Sequence, residues 1–77
     1  MMQKYIVTAE GEGRLDIVNR ITILFMQRHI AVESLTFEPA DGLMYRYQVC
    51  ALSDEDAIRK VTVRMEHIEG LKKISYK

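Results

Sequence analysis

The order in which two hydrophobic periodicities alternate is the strongest constraint on how these 77 residues fold. Segments that alternate apolar and polar residues are typical of strands, whereas apolar spacings of three and four are typical of amphipathic helices. Along this chain the two patterns follow one another as β-α-β-β-α-β. The predicted strands cover residues 4–10, 31–38, 43–52 and 71–77, the first helix covers about 15–29, and the second helix lies between Ser53 and Gly70.

This order predicts an α+β fold with a ferredoxin-like βαββαβ arrangement, in which four strands form one antiparallel sheet and both helices cover one face. Right-handed crossovers put the first and third strands in the centre and the second and fourth at the edges. The other face is then bare, and the second strand has unpaired backbone groups that favour pairing with another chain. Because the sequence contains no linker and no repeat, we expect a single domain over residues 1–77.

Residues at the boundaries of these segments predict how the elements begin and end. Asp16 and Ser53 are the expected N-caps of the two helices, and Gly70 is expected to end the second in a left-handed conformation. The turn Pro39–Gly42 is expected to join the second and third strands as a hairpin. The apolar residues of the second strand do not share one parity, which indicates a bulge. In the third strand, Tyr47 shares the parity of the residues expected beneath the helices.

The composition argues against several functional classes. Eleven basic and eleven acidic side chains cancel, which argues against a general binder of nucleic acid or of anionic membranes. The one cysteine, Cys50, cannot form an internal disulfide, and together with His29 and His67 it does not make a zinc site. A single free thiol fits a reducing compartment, so we expect a cytoplasmic location and no metal or cofactor in this chain.

No group of residues has the pattern of an active site. Cys50 has no evident histidine partner, and Ser34 has neither a nucleophile-elbow setting nor an evident base. Tyr45 and Tyr47 alternate with polar residues, but the signature of RNA-binding modules with this fold is missing. A small enzyme of the acylphosphatase kind would need an arginine cradle, for which Arg14 alone is weak support. We therefore predict a protein that is not an enzyme.

The loop Gly11–Asp16, which precedes the first helix, is the best candidate for a ligand site. Glycines ahead of a helix start bring backbone N–H groups together, and such groups bind anions, for example the carboxylate of an amino acid. The alternative is a plain connection without a ligand, because two glycines one residue apart are a weak signal. Asp16 works against an anion, since its carboxylate would already occupy the N-terminus of the helix.

The segment LFMQRHIAVESLT, at Leu24–Thr36, resembles the LF-x-x-R-x-x-x-I/V-E-S-L-T run of acetolactate synthase small subunits, which are regulatory proteins built on an ACT domain. The βαββαβ order is also that of ACT domains, and the stretches Tyr45–Tyr47 and Gly70–Tyr76 are similar in placement. The resemblance covers the ACT part of longer family members and therefore implies a short-form subunit.

What the resemblance implies is a regulatory role. Such small subunits bind the thiamin-diphosphate-dependent catalytic subunit of acetolactate synthase, raise its activity in branched-chain amino acid biosynthesis, and in many cases impose feedback inhibition by valine. The effector lies in an ACT homodimer, between the first loop of one chain and the start of the second strand of its neighbour. Carried over to this sequence, the effector residues would be Gly11, Gly13, Arg14, Leu15, Asp16, Ile17 and Ala31. The residues expected to contact the catalytic subunit or the second copy are Arg28, Val32, Glu33, Ser34 and Leu35.

At the implied effector site this sequence departs from the family pattern. Gly13 and Ala31 stand where the family has asparagines, and Asp16 stands where it has a glycine. Two amide groups are lost and a negative charge is gained where a carboxylate would approach, so we expect a weak or absent valine response. His29 replaces the glycine that follows Arg28 in the family, and histidine tolerates a positive φ better than most residues. The alternative function is a stand-alone ACT-domain sensor for another small ligand.

Overall fold

The computed structural model describes all 77 residues, and all six predicted elements are present in the predicted order. The strands are β1 (Gln3–Glu12), β2 (Ala31–Pro39), β3 (Met44–Ser53) and β4 (Leu71–Tyr76), and the helices are α1 (Leu15–Gln27) and α2 (Glu55–Met65). The strands form one antiparallel sheet in the order β2-β3-β1-β4. The predicted ferredoxin-like fold, with β1 and β3 in the centre and an edge at β2, is therefore confirmed.

The core lies between the sheet and the two helices, because alternate residues of the central strands point toward the helices. The buried residues include Tyr5, Val7 and Ala9 of β1, Tyr47, Val49 and Ala51 of β3, Ile17, Ile21 and Phe25 of α1, and Ile58, Val61 and Met65 of α2. Tyr47 is 1% exposed, which confirms that it packs beneath the helices, and Tyr45 is half-buried against the same cluster. The intervening residues of β1 and β3, such as Thr8 and Gln48, lie on the bare face of the sheet.

Both edge strands are irregular. In β2, Val32 and Ser34 pair with adjacent residues of β3, so Glu33 is the extra residue of a bulge. This confirms the bulge expected from the broken alternation. In β4 the pairing with β1 also shifts register, and Lys73 has a φ of 55°. The β4 irregularity was not predicted because its positive φ falls on a lysine, where the sequence carries no signal for one.

The prediction that Asp16 is the N-cap of α1 is wrong. The helix begins at Leu15, and the residue in the cap position is Arg14, whose side chain makes no cap hydrogen bond. Asp16 lies in the first turn, where its carboxylate accepts hydrogen bonds from the Arg14 guanidinium at 3.1 and 3.3 Å. The charged guanidinium is a stronger donor than a backbone N–H, and it lies close enough to take both carboxylate oxygens.

The prediction that Ser53 is the N-cap of α2 is wrong by one residue. Asp54 caps the helix and accepts a hydrogen bond from the Ala57 N–H at 2.8 Å. Ser53 instead completes β3 opposite Gln3, and its hydroxyl donates to the Asp54 carbonyl at 2.9 Å. Because serine and aspartate are both good caps and lie next to each other, the length of β3 decides between them.

The C-terminal end of α1 leads directly into the β2 edge. The helix ends at Gln27, two residues before its expected end, because His29 takes a left-handed conformation with a φ of 55°. The Ile30 N–H then donates back to the Phe25 carbonyl at 3.1 Å, as in a Schellman motif. Gly70 has the expected positive φ, at 90°, although α2 itself ends well before it. Neither helix is long and apolar enough to cross a membrane.

Candidate functional site

The loop between β1 and α1, residues Gly13 and Arg14, is held against β3 by the hydroxyl of Tyr47. This hydroxyl donates a hydrogen bond to the carbonyl of Glu12, and the N–H of Arg14 lies 3.4 Å from it. Burial of the Tyr47 side chain raises the pKa of its hydroxyl. On the other side, the Glu12 N–H donates to the Gly70 carbonyl at 3.0 Å. The loop backbone is therefore hydrogen-bonded to β3 through Tyr47 and to the turn before β4 through Gly70, which fixes its position.

Close neighbours within the chain occupy the space beside both glycines of this region, backbone atoms at Gly11 and a side chain at Gly13. A Cβ at Gly11 would overlap the carbonyl oxygen of Gly70, and a Cβ at Gly13 would overlap the ring of Tyr45. The same ring stacks on Phe37, with ring centroids 4.9 Å apart. Tyr45 therefore fills the space that a side chain at position 13 would need, and an asparagine does not fit there without moving this aromatic pair.

The charged side chains around the loop pair with one another but do not cancel. The Arg14 guanidinium contacts Asp16 Oδ1 at 3.1 Å, Glu12 Oε1 at 2.7 Å and the Glu69 carbonyl at 3.3 Å. Its hydrogen bond with Asp16, together with the charges of both acids, raises the pKa of Arg14. One positive and two negative groups leave this cluster with a net charge of −1. An approaching carboxylate would meet the attraction of one positive group and the repulsion of two negative ones, so the net effect is the repulsion of one like charge, weakened by solvent screening.

Two further predicted effector residues, Leu15 and Ile17, face different surroundings. Leu15 is 73% exposed at the start of α1, where it is accessible to a ligand or to another chain. Ile17 is fully buried, so it belongs to the core and has no surface to offer a ligand. The loop thus presents one exposed apolar side chain next to an arginine that is already paired.

Ala31, the last predicted effector residue, lies at the opposite end of the sheet from the loop. It pairs with Leu52, which in turn pairs with Lys4, whereas Gly11 lies seven residues further along β1. At a rise of about 3.3 Å per residue, the two ends are about 23 Å apart. The loop and Ala31 therefore do not form one site within a single chain, and a second copy is needed to bring an Ala31 to the loop.

Comparison with known proteins identifies the fold. No protein-family model and no curated protein sequence matches this chain. The crystal structure of the ACT domain from the GTP pyrophosphokinase of Chlorobium tepidum matches with a TM-score of 0.81 at 12% identity, and the match covers 100% of both chains. The chain has the ACT-domain fold. The uncharacterized protein TM1266 of Thermotoga maritima shares it, with a TM-score of 0.76 at 17% identity over 100% of this chain and 96% of that one.

An acetolactate synthase small subunit is among the proteins with this ACT fold. The small subunit from Thermotoga maritima matches with a TM-score of 0.81 at 13% identity, over 96% of this chain and 47% of that one. This chain therefore spans about half the length of that subunit. At such identities the similarity establishes the ACT fold and its strand order.

In this ACT fold four of the five predicted interface residues lie along the free edge of β2, whereas Arg28 follows the end of α1. Val32 is 44% exposed, and Ser34 is exposed beside it. Glu33, in the bulge, forms an ion pair with Lys4 of β1 at 3.4 Å, between exposed side chains that contribute little to stability. Leu35 is half-buried and packs against the core. The edge thus presents free backbone groups with an apolar side chain among them.

Next to this edge, α1 and β2 border an apolar depression of about 200 Å³. It is lined by Thr22, Phe25, Met26, Ile30, Val32, Leu35 and Val49. Met26 on its rim is 69% exposed, and Arg28 is half-buried at the end of α1. Exposed apolar side chains beside an unpaired strand edge are the combination that favours contact with another chain.

The sequence predicts Tyr47 only as a core residue. The structure shows that its hydroxyl also donates a hydrogen bond to the Glu12 carbonyl and so anchors the loop between β1 and α1. A buried tyrosine hydroxyl needs a hydrogen-bond partner, so its burial alone is a signal for some polar contact. The identity of that partner depends on how β3 and the loop meet in three dimensions. The ion pair between Arg14 and Glu12 was missed for a similar reason, since it depends on the backbone path of the loop.

The other residues considered for chemistry lie in separate parts of the fold. Cys50 is half-buried on the bare face of the sheet, His29 follows the end of α1, and His67 follows the end of α2. No cluster of three or more His, Cys, Asp or Glu side chains is arranged to hold a metal ion.

Proposed function

We propose that this chain is a regulatory small subunit that binds and activates the catalytic subunit of an acetolactate synthase, as a cytoplasmic homodimer in branched-chain amino acid biosynthesis. The observation that carries the proposal is the location of Leu24–Thr36, the segment that resembles this family. It runs from the last turn of α1 through the turn at His29 into the exposed edge strand β2. Val32, Glu33 and Ser34 are exposed there, so packing within one chain does not account for their identity.

Two-fold pairing of β2 edges supports the dimer in this proposal. Antiparallel pairing of two β2 strands would join the sheets of two copies into one, with the start of one β2 beside the end of the other. The end of β2, at Pro39, lies across β3 from Gly11. Such a dimer would bring Ala31 of one copy toward the first loop of the other.

In this proposal the catalytic chemistry belongs to the partner enzyme. Thiamin diphosphate would be bound by the catalytic subunit, and this chain would contribute binding surface and no reacting group. The state of the polar groups in the first loop supports this division, because Arg14 is already paired with Glu12 and Asp16 and is not free to act on a substrate.

The proposal predicts that adding the purified chain to its acetolactate synthase catalytic subunit raises turnover several-fold and that the two proteins co-elute in size-exclusion chromatography. The increase should saturate with the concentration of this chain, because it reports formation of a complex. Unchanged turnover together with separate elution would contradict the proposal. A rise in melting temperature with one amino acid, without any effect on the catalytic subunit, would instead favour the stand-alone sensor, since a bound ligand stabilises the folded state by mass action.

Valine is expected to bind the homodimer with a Kd weaker than about 1 mM, which corresponds to a binding free energy of about −4 kcal/mol. The reason is electrostatic, since Glu12 and Asp16 outweigh the single charge of Arg14 where the carboxylate of valine would approach. Isothermal titration calorimetry with valine measures this affinity directly.

Asp16→Gly is the companion variant for the valine experiment. It removes one carboxylate and frees one side of the Arg14 guanidinium, so it should bind valine more tightly than the unchanged chain does. The reverse result is also informative. A micromolar Kd in the unchanged chain that is abolished by Asp16→Lys would mean that the Asp16 carboxylate assists binding, contrary to this prediction.

A further inference from the structure

A groove between the two helices lies apart from the first loop and from the β2 edge. It has a volume of about 350 Å³ and is lined by Arg20, Ile23, Leu24 and Gln27 of α1 and by Arg64, His67 and Ile68 at the end of α2. We refer to these seven residues as the α1–α2 groove. Its floor is apolar, because Ile68 is buried and Leu24 is partly buried, whereas both arginines are exposed at its rim.

The positive charges of the α1–α2 groove have no acidic partner within the chain. Arg20 and Arg64 make no ion pair, and no Asp or Glu lines the groove. The acid one turn before Arg20, Asp16, is already bound in the first loop. The acid two turns before Arg64, Asp56, is bound to Lys60 at 3.1 Å. Glu66 and Glu69 flank His67 and Ile68 in the sequence, but they do not line the groove and form no ion pair with either arginine. The groove therefore combines an apolar floor with two arginines that have no ion-pair partner.

The bare face of the sheet has a different distribution of charge. In one row across the strands, Glu38 is opposite Arg46, Arg46 is opposite Glu10, and Glu10 is opposite Lys72. The signs alternate along this row, so each charge has a neighbour of the opposite sign. The excess of positive charge is thus local to the lining of the α1–α2 groove. It does not extend over the whole helix layer, which also carries acids such as Asp54, Glu55 and Glu66.

We propose that the α1–α2 groove is a docking site for an acidic segment of a partner protein. Asp or Glu carboxylates of that segment would pair with Arg20 and Arg64, and an aliphatic side chain next to them would pack on Leu24 and Ile68. The groove is an open depression and not an enclosed cavity, whereas small-molecule sites enclose about 70–90% of their ligand. A groove between two packed helices fits a segment of chain, and exposed arginines at its rim favour the encounter with an acidic partner.

The experiment is a titration of the isotope-labelled full chain with a short capped peptide of glutamate and leucine residues, followed by the shifts of backbone amide signals. We expect saturable shifts at the α1–α2 groove. The same peptide with glutamine in place of glutamate should bind at least about tenfold more weakly, a difference of about 1.4 kcal/mol. The double variant Arg20→Gln/Arg64→Gln should lose binding to a similar degree. The control Lys72→Gln/Lys77→Gln removes the same charge from exposed positions of β4 and its end and should bind as the unchanged chain does.

Several results would overturn the inference. Equal binding of the two peptides would mean that charge is not recognised, and shifts centred outside the groove would mean that another surface binds. Equal affinity for free glutarate would assign the groove to a small anion. Shifts of the same signals on raising the protein concentration without peptide would assign it to a second copy. The inference goes beyond the proposed function, and its test uses no catalytic subunit, so either can fail without the other.

Discussion

Val32→Lys is expected to leave the chain folded but to convert the proposed homodimer into a monomer. Val32 is 44% exposed on the β2 edge, so the lysine can reach water in the free chain. In a two-fold interface the same residue is contributed twice, and two unpaired charges would be buried or forced apart. We expect the dimer Kd to rise at least about 100-fold, which corresponds to about 2.7 kcal/mol. Sedimentation equilibrium over a concentration series measures this change.

Val63→Lys is the matched control for this prediction. Val63 is 50% exposed on α2, so the two variants make the same substitution at the same degree of exposure. Because α2 is not part of the β2 edge, we expect the Val63→Lys variant to keep the dimerisation and the activation that are proposed for the unchanged chain. Val32→Lys should also lose activation if the dimer is the active form. Equal dimer constants for the two variants would exclude the β2 edge as the interface.

The topology is predictable from the sequence because each element carries its own apolar period. Tyr47, Val49 and Ala51 share one parity in β3, and all three are buried. The helical segments before and after the β2–β3 hairpin each have one apolar stripe. Both stripes are buried when the two helices pack on the same face of one sheet. The broken alternation around Val32 and Leu35 likewise indicates the β2 bulge, since an extra residue reverses the parity of everything after it.

The starts of the helices are less predictable because contacts between distant residues decide them. Asp16 has the chemistry of a cap, but its carboxylate is taken by Arg14. The backbone of Arg14 in turn contacts the hydroxyl of Tyr47, which is 33 residues away in the sequence. A local pattern identifies which residues are able to cap a helix, whereas the tertiary structure selects the one that does.

The sequence predicts where the candidate site lies but not which side chains surround it. The loop Gly11–Asp16 lies at one end of the central strands, as the order of elements requires. Which side chains reach it depends on strand register and on cross-strand packing. Ile17 turns into the core, the ring of Tyr45 covers Gly13, and Ala31 is carried to the far end of the sheet. The positions of Tyr45 and Ala31 follow from the pairing of β1 and β2 with β3, for which the sequence contains no local signal. The burial of Ile17 follows from its helical spacing with Ile21 and Phe25, which the sequence does show and which excludes it from a ligand site.

Gly11→Ala is expected to lower the free energy of unfolding by about 2–3 kcal/mol, the upper part of the usual range for overpacking. The added Cβ would overlap the Gly70 carbonyl oxygen and lie 3.1 Å from the Leu71 Cα. Both neighbours are backbone atoms, and the Gly70 carbonyl also accepts the Glu12 N–H at 3.0 Å. The Gly70 carbonyl therefore cannot move away from the added Cβ without breaking its hydrogen bond with Glu12, which holds the loop between β1 and α1 in place. Urea unfolding, monitored by circular dichroism, measures the difference in stability.

Gly42→Ala is the control for this second prediction. Gly42 lies in the hairpin with a φ of 56°, and a Cβ there would meet nothing within 4 Å. The substitution should cost only the strain of a left-handed residue, about 1 kcal/mol. Equal losses in the two variants would contradict the close approach of β1 to Gly70. Only Gly11→Ala should also speed hydrogen exchange at the Glu12 amide. The added Cβ would push against the Gly70 carbonyl oxygen, which accepts the hydrogen bond from that amide.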